Sequence, residues 1–335
     1  MGLADIQAMP HPPAPDTALL SPRPDVAAST LPLAVVLNAA AGHLETEERV
    51  HTITQVLGEA DREHLVLPVE PARGMDAVVE QALAWAQRRG GAVVAAGGDG
   101  TLNTVAQAAY NAGCPMGALP QGTFNYFARS HGIPTDLSEA VRCLLQARPQ
   151  PVQVGRLNER VFLVNASLGL YPQILSDREA FKAQWGRYRI NAVLSALLTI
   201  LREHRSWHLS LDLGDRQVEV DTTTLLVSNS TFQLGALGLP EAQVASHGAL
   251  GALLVHPVSR GRLLWLALQG ALGRLAQAEG AVDFAFRRLT VLPGRRRRAL
   301  KVSVDGEVLQ MPLPLTFEVA PRPLMLLKPH EGEPA

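Results

Sequence analysis

The stretch that most constrains this chain is Val93-Val94-Ala95-Ala96-Gly97-Gly98-Asp99-Gly100-Thr101-Leu102-Asn103. An apolar, β-prone run stops at Gly97 and gives way to a turn of small residues carrying one carboxylate and one hydroxyl. An Ala-rich helical stretch, Thr104 to Asn111, then runs to Gly113, a natural left-handed C-cap. Strand, glycine turn and helix together form the unit on which α/β proteins bind phosphate. Glycines let backbone approach the ligand, and free N–H groups at the helix start attract anions. Asp99 in that turn is placed to hold Mg²⁺ or a reacting hydroxyl. The plainer reading is a tight βα turn that happens to carry an aspartate, but turning alone does not require the second half of the string.

Flanking segments extend the pattern. Leu33 to Leu37 reads as a buried strand ending at Asn38-Ala39-Ala40-Ala41-Gly42, and Glu45 to Ala60 carries Val50, Ile53, Val56 and Leu57 at helical spacing. His64 to Val69 is a second strand, and Met75 to Arg89 a helix with Val78, Val79, Ala82, Leu83 and Ala86 inward. Met116 to Arg129 repeats strand, Gly122-Thr123 turn and helix. Short apolar strands alternating with helices predict a parallel sheet covered on both faces, with ligands at the carboxyl ends of its strands. From about Pro151 the texture changes to short strands separated by Gly- and Pro-bearing loops, including Val161 to Ala166 and Phe284 to Val291. That half predicts a β-sandwich interrupted by helical segments at Asp177 to His204 and Arg260 to Ala278. The expected organisation is a disordered leader over 1–30, an α/β nucleotide-binding domain over 31–150, a β-rich substrate domain over 151–329 whose last segment could return to the first, and a tail over 330–335.

The chain has 335 residues, enough for two ordinary cores, and its formal net charge of −1 gives no support to general nucleic-acid binding. Cys114 and Cys143 are its only cysteines, which argues against a disulfide framework and for a reducing, cytoplasmic compartment. The apolar run Ile190 to Leu201 is shorter than the ~20 residues a bilayer span needs.

Four segments in fixed order resemble the diacylglycerol-kinase-like catalytic family, which includes bacterial lipid kinases and the sphingosine and ceramide kinases. They are Asn38 to Gly42, Gly97-Gly98-Asp99-Gly100-Thr101 with Asn103, Pro120 to Asn125 with Ala128-Arg129, and Asp305-Gly306-Glu307. The resemblance covers about Leu31 to Pro329 and implies an α/β domain followed by a β-sandwich domain, with ATP in the cleft between them. It implies an ATP- and Mg²⁺-dependent lipid kinase phosphorylating a diacylglycerol-like hydroxyl. Nucleotide contacts would come from Asn38, Gly42, Gly97, Gly98, Gly100, Thr101, Gly122, Thr123 and Asn125, with Arg189 as a phosphate-binding arginine. Asp305 matches an aspartate assigned as general base, Glu307 its acidic partner, and Asp99 a rival base and a metal ligand. Read without the resemblance, Asp305-Gly306 is an Asp-Gly hairpin turn and Arg189 a solvated helix residue.

Departures accompany the match. Ala39 stands where the family has proline, Tyr126 where it has aspartate, and Gln153 where another acid is expected. Losing both acids leaves Asp99 alone in a group that can support a structural Mg²⁺. Alternatives are a non-catalytic nucleotide- or lipid-binding protein of the same fold and a soluble metabolite kinase such as an NAD kinase. The arginines between Phe286 and Asp305 make a local basic stretch suited to an anionic leaflet. The expected partners are thus a lipid, an anionic membrane surface on its inner face, and a second copy of the chain in a homodimer.

Overall fold

A computed structural model of the chain describes residues 30–39, 46–70, 73–169, 206–214, 217–236, 248–257, 261, 265, 281–292 and 298–329. Gly42, Arg189, the leader over 1–29, the tail over 330–335, the helical segment Asp177 to His204 and nearly all of Arg260 to Ala278 lie outside these residues. The chain divides into two units, one ending at Val154 and taking the chain back from Ala320, the other spanning Gly155–Val319.

The first unit is built on a six-stranded sheet. Strands β1 (Leu33–Asn38), β2 (His64–Val69), β3 (Ala92–Gly97) and β4 (Met116–Pro120) run parallel in the order β2-β1-β3-β4. The last strand of the chain, β18 (Leu324–Lys328), pairs parallel with β4, and β5 (Arg148–Val152) closes the edge antiparallel to β18. The helices are α1 (Thr46–Glu59), α2 (Met75–Arg88), α3 (Asp99–Ala112), α4 (Tyr126–Ser130) and α5 (Leu137–Gln146). Leu33, Val35 and Leu37 pack with Ile53 and Leu57 of α1 and with Leu137, Val141 and Leu144 of α5. The alternate residues Ala34 and Val36 are equally buried, so β1 is covered on both faces, as a parallel strand requires. Truncating Ile53 or Leu119 to alanine would cost ~2–5 kcal/mol. Helix α3 starts earlier than the Ala-rich stretch suggests, at Asp99 inside the glycine turn, and ends at Gly113 with φ 64°.

The second unit is a sandwich of two antiparallel six-stranded sheets. One has the order β10-β9-β14-β17-β6-β7 and the other β13-β12-β11-β8-β15-β16. In the first, β6 is Gly155–Leu157, β7 Arg160–Phe162, β9 Trp207–Asp212, β10 Gln217–Thr222, β14 Arg288–Val291 and β17 Leu315–Val319. In the second, β8 is Asn165–Gly169, β11 Thr224–Ser228, β12 Leu250–Val255, β13 Ala281–Phe286, β15 Ala299–Val304 and β16 Glu307–Pro312. A short helix, α6 (Thr231–Ala236), follows β11. Phe162, Phe317, Leu289 and Leu211 of one sheet meet Leu168, Val227, Leu254 and Val302 of the other in one core. The fold is therefore the expected α/β domain followed by a β-sandwich.

Two stretches that read as single strands are corners. Val161 to Ala166 splits into β7 and β8, which belong to opposite sheets, and Phe284 to Val291 splits likewise into β13 and β14. Continuous apolarity hides such a switch, because a strand that changes sheets keeps packing into the same core.

Candidate functional site in the glycine turns

Three strand ends of the first unit bring Asn38, Gly97, Gly98, Thr101, Gly122 and Asn125 together. At the end of β1, Asn38 Nδ2 donates to Thr101 Oγ1 on the first turn of α3, at 2.9 Å. At the end of β3, Gly97 C=O accepts the Gln121 N–H from the end of β4, at 2.8 Å. The two glycine turns touch: a Cβ built on Gly122 would lie 3.0 Å from Gly98 Cα and 2.9 Å from Asn125 Oδ1. A Cβ on Gly97 would meet Thr101 Oγ1 at 2.6 Å, so that position has no room for any side chain. Gly100, by contrast, is exposed, with nothing within 4 Å of its would-be Cβ.

Asn125 organises the second turn. Its φ of 50° is left-handed, a conformation asparagine tolerates because its side chain can bond locally. Here Oδ1 accepts the Gly122 N–H and Nδ2 donates to the Gly122 carbonyl, both at 2.9 Å. Its own backbone N–H is directed at the Asp99 carboxylate. Thr123 and Phe124 project outward, Phe124 with 48 % of its surface exposed and its ring stacked on Tyr126 at 5.5 Å. Tyr126 thus puts an aromatic ring where an acid was expected.

Asp99 is the chemically distinctive group. It opens α3 behind Gly98, a cap with no side-chain bond, at the end of the helix whose first backbone N–H groups have no intrahelical acceptor. Burial raises its pKa, and the Asn125 N–H only partly offsets that. Its Oδ1 is buried with no hydrogen-bond partner. A buried carboxylate oxygen without a hydrogen bond costs about 1–3 kcal/mol or more, so Oδ1 is open to a donor that the neighbouring residues do not supply. Among the described residues no three His, Cys, Asp or Glu side chains gather as metal ligands. The acid-poor surroundings of Asp99 do not fit a metal held by side chains alone.

Arg49 carries no motif that points to this site. Arginine usually marks a solvated helix face, yet Arg49 is 1 % exposed and among the largest fully buried side chains. Its spacing to Ile53 and Leu57, four and eight residues on, was the available signal, since all three lie on the buried face of α1. The guanidinium donates to Asn38 C=O (3.0 Å), Ala39 C=O (3.0 Å) and Gln121 Oε1 (2.6 Å).

Asp305 and Glu307 belong to the second unit. Asp305 (φ 44°) and Gly306 (φ 92°) form the two-residue turn between paired Val304 and Glu307, as an Asp-Gly hairpin of type I′ does. Glu307 is exposed. The Asp305 carboxylate reaches back to the β7–β8 corner and accepts three backbone N–H groups, from Leu163 (2.7 Å), Val164 (2.9 Å) and Asn165 (2.9 Å). The corner carbonyls are met from the other side: Asn229 Nδ2 donates to Leu163 C=O, and both Asn229 N–H and Ser228 Oγ donate to Val164 C=O.

Comparison with known proteins agrees with this architecture. Residues 32–157 match the family described as diacylglycerol kinase catalytic domain, and residues 175–328 the YegS C-terminal NAD kinase beta sandwich-like domain. A protein of Pseudomonas syringae pv. syringae (strain B728a) named "Probable lipid kinase YegS-like" is 31 % identical over 76 % of this chain and 80 % of its own length. A protein of the same name from Klebsiella pneumoniae (strain 342) is 43 % identical over 79 residues, which cover 23 % of this chain and 27 % of that protein. Among solved structures, a diacylglycerol kinase from Bacillus anthracis str. Sterne superposes with a TM-score of 0.63 at 16 % identity, covering 89 % of this chain and 96 % of that one, a likeness of fold.

Proposed function

This chain belongs to the YegS-like lipid kinases built on the diacylglycerol kinase catalytic domain, and from that premise we propose that it transfers the γ-phosphoryl group of ATP to a diacylglycerol-like hydroxyl. The observation that carries this reading is the buried, unpartnered Asp99 Oδ1 at the start of α3, between two glycine turns in contact. Such turns offer backbone N–H groups to a polyphosphate, and Gly97, Gly98, Gly100, Thr101, Gly122, Thr123, Asn125 and Asn38 are assigned to it, with Gly42 and Arg189 completing the set. The acceptor oxygen attacks the γ-phosphorus, the bond to the β-phosphate oxygen breaks, ADP leaves, and the hydroxyl proton passes to Asp99 Oδ1. Mg²⁺ enters as part of the MgATP substrate, where it supplies neutralisation of phosphate charge.

Geometry supports Asp99 over Asp305 as the proton acceptor. Three backbone N–H donors already occupy both carboxylate oxygens of Asp305, whereas Asp99 keeps a buried oxygen with no hydrogen-bond partner in a site whose burial raises its pKa. The reading therefore gives Asp305 the role of holding the β7–β8 corner and the hairpin that presents Glu307. Glu307, exposed beside that turn, was the acidic partner of Asp305 in the resemblance and takes no step in this reading.

Exposed Arg287, Arg288, Arg298 and Lys301 support contact with an anionic membrane surface, at about 1 kcal/mol per charge close to it. Among the described residues no helix is long and apolar enough to cross a membrane. Incubating the protein with labelled ATP, against diacylglycerol in mixed micelles and against NAD, tests the proposal. Label in the lipid fraction is expected; transfer to NAD alone, or to neither, overturns it.

A further inference from the structure

We infer that Arg49 is a positioning residue for nucleotide binding, fixing the spacing between Asn38-Ala39 at the end of β1 and the glycine turn after β4. The inference rests on the assignment of ATP to those turns. Its basis is a connected set of bonds, all inside the first unit. One guanidinium nitrogen, Nη1, bridges Asn38 C=O at 3.0 Å and Gln121 Oε1 at 2.6 Å. The other, Nη2, holds Ala39 C=O at 3.0 Å and Thr46 Oγ1 at 3.3 Å, and Thr46 Oγ1 itself donates to Ala39 C=O at 3.4 Å.

Each end of this bridge continues into the glycine turns. Asn38, whose carbonyl Arg49 holds, donates through its side chain to Thr101 Oγ1. Gln121, whose side chain Arg49 holds, donates through its backbone to Gly97 C=O. The side chain thus links the carboxyl ends of β1, β3 and β4, the three strands whose turns would wrap one polyphosphate. Burial lowers the pKa of Arg49, but a guanidinium stays protonated in proteins, so a fixed cation lies under these turns. A lysine would keep the charge and lose the planar fork that spans two loops at once.

Three variants of the full-length protein test this: Arg49→Lys, Arg49→Met and Gln121→Leu. Two readouts apply, the isotherm for MgATP and hydrogen exchange of the nucleotide-free protein. Arg49→Lys is expected to weaken MgATP binding about tenfold or more while leaving the lipid KM within twofold. Its amides over 97–103 and 121–125 should exchange several-fold faster, with exchange in β12 unchanged. Gln121→Leu should reproduce a smaller part of both effects, and it keeps the test decisive if Arg49→Met fails to fold. Full MgATP affinity in Arg49→Lys would show that charge alone suffices and would overturn the inference, as would unchanged exchange in both turns. A wild-type protein that binds no MgATP would instead remove the nucleotide assignment, and the exchange result would then report Arg49 as a loop brace only, which also overturns it.

Discussion

Asp305 and Asn165 bond to each other twice through the main chain of Asn165: the Asn165 N–H donates to Asp305 Oδ1 at 2.9 Å, and the Asp305 N–H donates back to Asn165 C=O at 2.9 Å. This reciprocal pair fastens the β15–β16 hairpin to the point where the chain crosses from one sheet of the sandwich to the other. Asp305→Asn puts an amide NH₂ where N–H groups converge, leaving at least one donor unmet. Destabilisation by ~1–3 kcal/mol is expected in urea unfolding. Turnover per folded molecule should fall less than tenfold. A variant of unchanged stability whose turnover drops ~100-fold would return the role of base to Asp305. Glu307→Gln, at an exposed position, should leave stability within ~0.5 kcal/mol, so any loss of turnover there reports on chemistry.

Gly97 and Gly100 lie in one turn and should respond to alanine in opposite ways. At Gly97 the new methyl meets Thr101 Oγ1 at 2.6 Å, which would push Thr101 off its bond to Asn38. Gly97→Ala should cost ~1–3 kcal/mol of stability and weaken ATP binding with it. At Gly100 the methyl meets nothing within 4 Å, and helix propensity alone would leave stability unchanged or raised by up to ~1 kcal/mol. If nucleotide lies on this turn, Gly100→Ala should still lose ATP affinity at least fivefold. Normal affinity in a stable Gly100→Ala protein would place the nucleotide elsewhere.

His131 is expected to make the stability of the first unit acid-sensitive. Its ring sits edge-on to Phe127 at 4.7 Å, and burial, with a smaller contribution from the positive charge of Lys328, pushes its pKa down to about 4. The unfolded chain takes up a proton near pH 6.5 that the folded protein refuses until about 4. Stability from this group is therefore complete above 6.5 and is lost as pH falls toward 4, by at most about 3 kcal/mol. Urea midpoints at pH 7.5 and 5.0 should differ more for wild type than for His131→Gln. Equal differences in the two proteins would exclude this role.

Much of this architecture is legible from residue order. The run from Val93 to Gly97 followed by Asp99 specifies strand, turn and helix locally, and Gly113 ends that helix as its φ of 64° requires. Asp305-Gly306 likewise declares its own hairpin. What stays hidden depends on partners far away in sequence. The break at Leu163 and Val164 is held by a carboxylate about 140 residues later, and nothing in Val161 to Ala166 signals it. Arg49 reads as a surface charge until the carbonyls of Asn38 and Ala39 and the side chain of Gln121 are seen around it. The open Asp99 oxygen could not be read at all, because it depends on which neighbours fail to reach it.

Asp99→Asn separates proton transfer to Asp99 Oδ1 from nucleotide binding. Asparagine keeps the size and the bond from the Asn125 N–H but removes the basic oxygen. In single-turnover transfer from MgATP to diacylglycerol micelles, a rate loss of ~100-fold or more is expected, with the Kd for MgATP within about threefold of wild type. The wild-type rate should rise with pH through an apparent pKa above the ordinary carboxylate range, because burial raises that of Asp99 and only the ionised form accepts a proton. Wild-type transfer rates in Asp99→Asn would mean that the proton leaves to another group.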